Sequence, residues 1–249
     1  MTSPSRIAAI DGSGARKVLV LHGWALDSGV WLASRWISNT RDFTWAYVDF
    51  PAYGVNRAMA PADGVEGMAK FALEAAEELN WTSFAVLGHS MGGVTALRVA
   101  TLRPGAVTSV VALTPVSPAG TPLDASTFAA FDGAWADFGV AIKSSLSPRM
   151  DADDIRRICD RNRATMDRPT WTAYLKNWSS PSFMADVPKI QAPVTVLYGE
   201  TDPFVTADYL KPTVDQLANG KLHGIPIAGH YPMIEATAAT QRAIESALI

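Results

Sequence analysis

The chain is short of the residues that would place it in several large functional classes. It has one cysteine, Cys159, so no intrachain disulfide can form and no cysteine-based metal framework exists. It has no basic excess: 21 lysines and arginines stand against 24 aspartates and glutamates, a formal charge of -3. That balance offers no electrostatic footprint for nucleic acid. Apolar runs stop at strand length, well short of a membrane span. The start, MTSPSRIAAIDGSGARK, lacks the basic segment and apolar core of a secretory leader, and a cytoplasmic location is the expectation. The four histidines are scattered without ligand spacing, and neither a P-loop nor a dinucleotide fingerprint follows the first strand. No metal and no cofactor are therefore expected. Internal repeats and runs of like charge are missing as well. What remains is globular material, 48% hydrophobic and 18% charged, and 249 residues suffice for one large core.

Short apolar runs of the kind that buried parallel strands show recur along the chain. The first is 17–21 (KVLVL), followed by His22-Gly23-Trp24 and a helical pattern with Val30, Trp31, Trp36 and Ile37 on one face. Further strands are expected at 43–50, 83–87, 107–113 and 193–198, and a sixth at 222–227. Helices are expected at 64–80, from the elbow described below to about Leu102, and at 236–248. Strands alternating with helices predict an α/β architecture, a doubly wound, mostly parallel sheet with helices on both faces. Ligands gather beyond the carboxyl ends of such strands.

The stretch 117–187 breaks the alternation. It contains helices and no convincing strand, with Asp124 or Ser126, Asp151 and Thr170 as candidate helix caps. Its aromatic residues, among them Phe128, Phe131, Trp135, Trp171, Tyr174 and Trp178, could simply pack on the core. As a group they suggest a helical cap inserted late in the chain, with one or two lining a pocket. The expected organisation is thus a core at 1–116, a cap at 117–187 and the rest of the core at 188–249.

Gly88-His89-Ser90-Met91-Gly92 directly follows a strand and precedes a helix. A serine on a tight strand-to-helix turn is strained and crowded, and glycines two residues either side leave the backbone room. The turn exposes the hydroxyl and sets the Met91 N–H at a helix N-terminus, where it can face developing negative charge.

The segments VLVLHGW, VLGHSMGG, VLYGETDPF and IAGHYPMIE together resemble the serine branch of the α/β-hydrolase fold family, over the chain from about Lys17 to the C-terminus except the insertion. His22-Gly23-Trp24 with Trp31 is similar to small-ester carboxylesterases of that fold. A serine hydroxyl needs an adjacent base oriented by a carboxylate. Of the four histidines, only His230, in Ala228-Gly229-His230-Tyr231-Pro232, lies late in the chain on a loop after the last strand. The resemblance implies a structural role for His22; His89 adjoins the nucleophile, and His223 falls within a strand. The acid should lie between Ser90 and His230. Asp202 follows the 193–198 strand, and Asp202-Pro203 matches the family motif where Glu200 does not. The alternative position after the preceding strand reads Leu113-Thr114-Pro115-Val116, without a carboxylate. The Trp24 and Met91 N–H groups are the candidate oxyanion donors. One departure concerns Asp49 to Asn56, where Ala52 and Asn56 replace a glycine and a serine of the family's turn.

These residues imply a serine hydrolase cleaving a small-molecule carboxylic ester with an apolar or aromatic part. The same groups also serve carbon–carbon, lactone or thioester hydrolysis and cofactor-free perhydrolysis, and such scaffolds also act as ligand receptors. The oligomeric state is not legible in the sequence.

Overall fold

The computed structural model describes residues 5–249; the first four residues of the segment read for leader features lie outside it. Seven strands form one sheet: β1 (Ile7–Asp11), β2 (Arg16–Leu21), β3 (Phe43–Val48), β4 (Phe84–His89), β5 (Val107–Leu113), β6 (Val194–Gly199) and β7 (Gly220–Ile225). Their spatial order is β1-β3-β2-β4-β5-β6-β7. All neighbours are parallel except β1, which pairs antiparallel with β3 at the edge.

Side chains of successive strand residues point to opposite faces, and here both faces are apolar. Leu19, Leu21, Val86, Ala112 and Val196 pack on one side, against α2 (Gly64–Glu78), α3 (Met91–Leu102) and α8 (Ala207–Val214). Val18, Val20, Leu87, Val111 and Leu197 pack on the other, against α9 (Pro232–Glu235) and α10 (Thr237–Ala247). Burial on both faces is why these strands read as unbroken apolar runs rather than as alternation.

Local expectations are corrected at several points. The edge strand β1, IAAID, is absent from the sequence reading; it is short and only half-buried, so it lacks the apolar run that marks the inner strands. After β2, the chain forms a 3-10 turn, Ser28–Trp31, and then α1 (Leu32–Ile37). Val30 and Trp31 are buried, but Trp36 is 83% exposed and Ile37 50%, so the four do not share one buried face. The change from 3-10 to α winding rotates the second pair outward.

Between β5 and β6 the described residues contain helices and no strand. These are α4 (Ala125–Gly133), α5 (Val140–Leu146), α6 (Ala152–Thr165) and α7 (Arg168–Ser179). Asp124 and Asp151 accept the capping hydrogen bonds of α4 and α6. The third cap is Asp167, not Thr170: its carboxylate accepts from the Thr170 N–H and hydroxyl, and Arg168-Pro169 opens the helix. The short helix α5 escaped the sequence reading because seven residues offer too few turns for a periodicity.

Helix α5 carries an unusual group. Lys143 is 2% exposed, and its ammonium lies over the Trp171 ring without an ion pair or hydrogen bond among the described residues. Loss of hydration pushes its pKa down from 10.5 to about 8, against smaller opposing attractions from Cys159 and Asp137. A lysine whose folded-state pKa lies below its unfolded value costs stability at neutral pH, and that cost fades as pH rises from about 8 to 10.5. Lys143→Met is therefore expected to raise the melting temperature near neutral pH, by about 2–4 °C for each kcal/mol relieved. Thermal melts across that alkaline window should show wild type gaining on the variant as pH rises.

Candidate active site

Ser90 joins β4 to α3 with φ 53° and ψ -115°, a conformation that costs a non-glycine residue on the order of 1–3 kcal/mol. The surroundings enforce it. The Ser90 N–H donates to the Leu113 carbonyl of β5 at 2.8 Å, and the Ser90 carbonyl accepts from Gly93 and Val94 in the first turn of α3. A Cβ on Gly88 would lie 2.0 Å from the Gly92 carbonyl oxygen, and one on Gly92 2.5 Å from that of His22. The two glycines are therefore spatial requirements of the turn.

His230 and Asp202 come from the loops after β7 and β6. His230 Nε2 is 3.0 Å from Ser90 Oγ, and Nδ1 is 2.7 Å from Asp202 Oδ2. An ionised carboxylate only accepts, so Nδ1 carries a proton and Nε2 presents its lone pair to the serine hydroxyl. The other Asp202 oxygen, Oδ1, accepts from the Phe204 and Val205 N–H groups. Burial alone would raise the Asp202 pKa; attraction to His230 and these hydrogen bonds outweigh it and hold the carboxyl below its ordinary range. All three side chains are buried, Ser90 at 9%, His230 at 6% and Asp202 at 3% exposed. Glu200 is exposed and lies beside Gly224, away from His230.

Strand order places the remaining groups. β2 and β4 are neighbours with Leu21 opposite Gly88, so the loop bearing Gly23 and Trp24 emerges beside Ser90. The winding reverses here, with β3 on one side of β2 and β4 on the other, the usual location of a ligand crevice. Neither the Trp24 nor the Met91 N–H makes a hydrogen bond among the described residues, which leaves both available to an oxyanion.

The other histidines are otherwise engaged. His22 is fully buried; its Nε2 accepts from the Phe50 N–H and its Nδ1 donates to the Gly23 carbonyl, fixing the turn before Trp24. His223 is exposed on β7. His89 is buried, and its Nε2–H donates to the His230 carbonyl at 2.8 Å. Burial, and secondarily repulsion from His230, push its pKa well down, so it stays neutral beside the site. The loop from Asp49 to Asn56 holds its shape with Ala52 at φ 67°; Asp49 accepts from Ser28 and Val55, and Asn56 donates to the Asp49 carbonyl. This loop stays out of the cavity wall and supports the Trp24 turn from below through Tyr53.

Above Ser90 lies a cavity of about 270 Å³. Its wall includes Trp24, Val116, Leu123, Phe131, Leu146, Trp178 and Phe204. The Trp24 indole rests on Trp171 at 4.3 Å between ring centroids and donates to the Trp171 carbonyl. Of the aromatics singled out in the insertion, Phe131 and Trp178 line the cavity, while Trp171 and Tyr174 are buried behind it.

A family model described as the alpha/beta hydrolase family matches residues 18–243. The chain belongs to the alpha/beta hydrolase family. A pimeloyl-acyl-carrier-protein methyl ester esterase of Citrobacter koseri is 30% identical over 203 residues, 81% of this chain and 72% of that protein. The solved structure of an esterase from Exiguobacterium antarcticum superposes with a TM-score of 0.85 at 17% identity, covering 100% of this chain and 99% of its own. An enol-lactonase from Burkholderia xenovorans gives 0.83 at 17% identity, over 96% and 95%. At such identities the two structures speak for the fold alone.

In this alpha/beta hydrolase a carboxylate beyond the sequence-predicted site residues organises the His230 loop. Glu235 accepts from the Gly229 N–H, the Tyr231 N–H and the Ser147 hydroxyl, and Ser147 Oγ in turn accepts from the His230 N–H at 2.8 Å. Ser147 follows α5, so the insertion and the His230 loop share one hydrogen-bond network. The only sequence signal was the position of Glu235 five residues after His230. Glu235→Gln places an amide N–H against a backbone N–H, which the network has no acceptor to satisfy. The expected result is a fall in kcat of about ten- to a hundredfold, since small displacements of a reacting group carry penalties of that size. KM should change little, and steady-state kinetics with a circular-dichroism check of folding read both.

Proposed function

We propose that the chain is a serine hydrolase that cleaves a small-molecule carboxylic ester with an apolar acyl or aryl part. The observation that carries this reading is the unbroken Ser90–His230–Asp202 hydrogen-bond chain on the floor of a largely apolar cavity. His230 Nε2 takes the proton from Ser90 Oγ as the oxygen attacks the ester carbonyl. The tetrahedral oxyanion is held by the Trp24 and Met91 N–H groups, each such donor contributing about 3 kcal/mol in comparable sites. The C–O bond to the alcohol then breaks, His230 returns its proton to the departing oxygen, and an acyl-Ser90 ester remains. Water, deprotonated by the same nitrogen, releases the acid and restores the serine. Asp202 holds the tautomer and stabilises the imidazolium.

Residues 117–187 act in this reading as a cap, since Phe131, Leu146 and Trp178 close the cavity over Ser90. The similarity to an esterase named for a methyl ester supports ester chemistry over the other reactions open to the same three residues. No helix among the described residues is long and apolar enough to cross a membrane, and a cytoplasmic location remains the reading of the composition.

The test is turnover of p-nitrophenyl esters of increasing acyl length by wild type and Ser90→Ala. Loss of about a thousandfold or more in kcat, with folding intact, is expected. Equal activity in the variant would remove Ser90 from the mechanism, and no turnover by wild type would remove the ester.

A further inference from the structure

Away from Ser90 and His230, the cavity wall is mostly carbon, and none of the lysines, arginines, aspartates or glutamates among the described residues lines it. Four hydroxyl-bearing residues interrupt it, Thr121, Thr127, Tyr209 and Tyr231. Thr121 Oγ1 and the Tyr209 phenol oxygen are both in the wall and lie 2.6 Å apart.

Their hydrogens can be counted. The Tyr209 oxygen accepts from the Ser117 N–H at 2.9 Å. The two hydroxyls own two hydrogens, and the bond between them uses one. No carbonyl, carboxylate or other acceptor among the described residues takes the second. Whichever residue donates within the pair, one O–H is left over. Burial pushes the Tyr209 pKa up, so the phenol keeps its proton. By contrast, the Trp24 indole N–H in the same wall is engaged with the Trp171 carbonyl; the Trp178 indole N–H has no hydrogen-bond partner among the described residues, but it stands alone rather than in a fixed pair.

The pair is also fixed in place. The Thr121 N–H donates to the Ser179 carbonyl, and Gly120 closes a turn onto Ser117. Tyr209 lies in the first turn of α8, where its N–H donates to the capping Thr206 hydroxyl. A donor fixed in a half-buried position on an otherwise apolar wall is the kind of polar group that orients ligands in apolar pockets.

We propose that the Thr121–Tyr209 hydroxyl pair is a second recognition point, donating one hydrogen bond to an uncharged oxygen on the substrate's acyl chain, remote from the scissile ester. An ester, ketone or ether oxygen has the right chemistry. A carboxylate does not, because the wall supplies no cation to offset its burial. This inference rests on the ester-hydrolase reading and adds the substrate class: acyl chains bearing a second, neutral oxygen function.

The experiment compares kcat/KM, counted per scissile ester group, for dimethyl esters of dicarboxylic acids, from succinate to suberate, with methyl alkanoates and half-esters of matched length. The expected order is diester, alkanoate, half-ester. At the best length the diester should exceed the alkanoate by about three- to tenfold, the worth of one neutral hydrogen bond. Single removals leave one hydroxyl hydrogen in place, so the decisive variant is Thr121→Val with Tyr209→Phe. Its diester-to-alkanoate ratio should fall to about one whatever its absolute rate, while Thr121→Ser should keep the ratio. A wild-type ratio of about one at every length, a ratio unchanged in the double variant, or preference for the half-ester would each overturn the assignment while leaving Ser90-dependent turnover standing. Absence of turnover on every ester would overturn the ester reading and this inference together.

Discussion

The constraint on which the rest of the molecule depends is the strained backbone at Ser90. A non-glycine residue at φ 53° persists only where its neighbours over-determine it. Here the Leu113 carbonyl holds the Ser90 N–H from β5, and β2 lies close enough that Gly92 could not carry a Cβ beneath the His22 carbonyl. The sheet is thus the clamp, and three adjacent parallel strands supply it. Their burial on both faces gives the sheet the rigidity to store that strain.

Parallel strands also set the chemistry's location. All chain segments leaving β2, β4, β6 and β7 emerge at the same edge, so residues far apart in sequence meet within hydrogen-bond reach of Ser90. His230 is then positioned from several directions: Asp202 at its ring, His89 and Thr114 at its carbonyl, and Ser147 with Glu235 at its main chain. His89 can serve this way because burial keeps it neutral; a cation there would oppose formation of the imidazolium on His230. The network that reaches through Ser147 ties the helical insertion to the same histidine by hydrogen bonds.

The inner strands and the elbow could be read from sequence because each is local: an apolar run, or two glycines around a serine. The edge strand Ile7–Asp11 and the short helix Val140–Leu146 could not, since one is half-buried and the other too brief for periodicity. Trp36 shows a further limit. Val30-Trp31 and Trp36-Ile37 can be read as one helical face, but a change from 3-10 to α winding turned the Trp36 side chain into solvent. The distinction between Asp167 and Thr170 as cap is equally invisible in sequence, because both residues have capping oxygens.

The sequence by itself determined the alternation that makes a parallel sheet, the glycine spacing that a strained serine turn requires, and the chain order of serine, acid and histidine, because each depends on neighbours along the chain. Only the tertiary structure decided which polar groups meet: that Glu235 and Ser147 hold the His230 loop, and that, among the described residues, Lys143 is buried without a counter-ion and Thr121 and Tyr209 leave one hydroxyl hydrogen unmet in the cavity wall. Those facts depend on distances between segments tens of residues apart, and such distances are set by packing across the sheet rather than by any local preference of the chain.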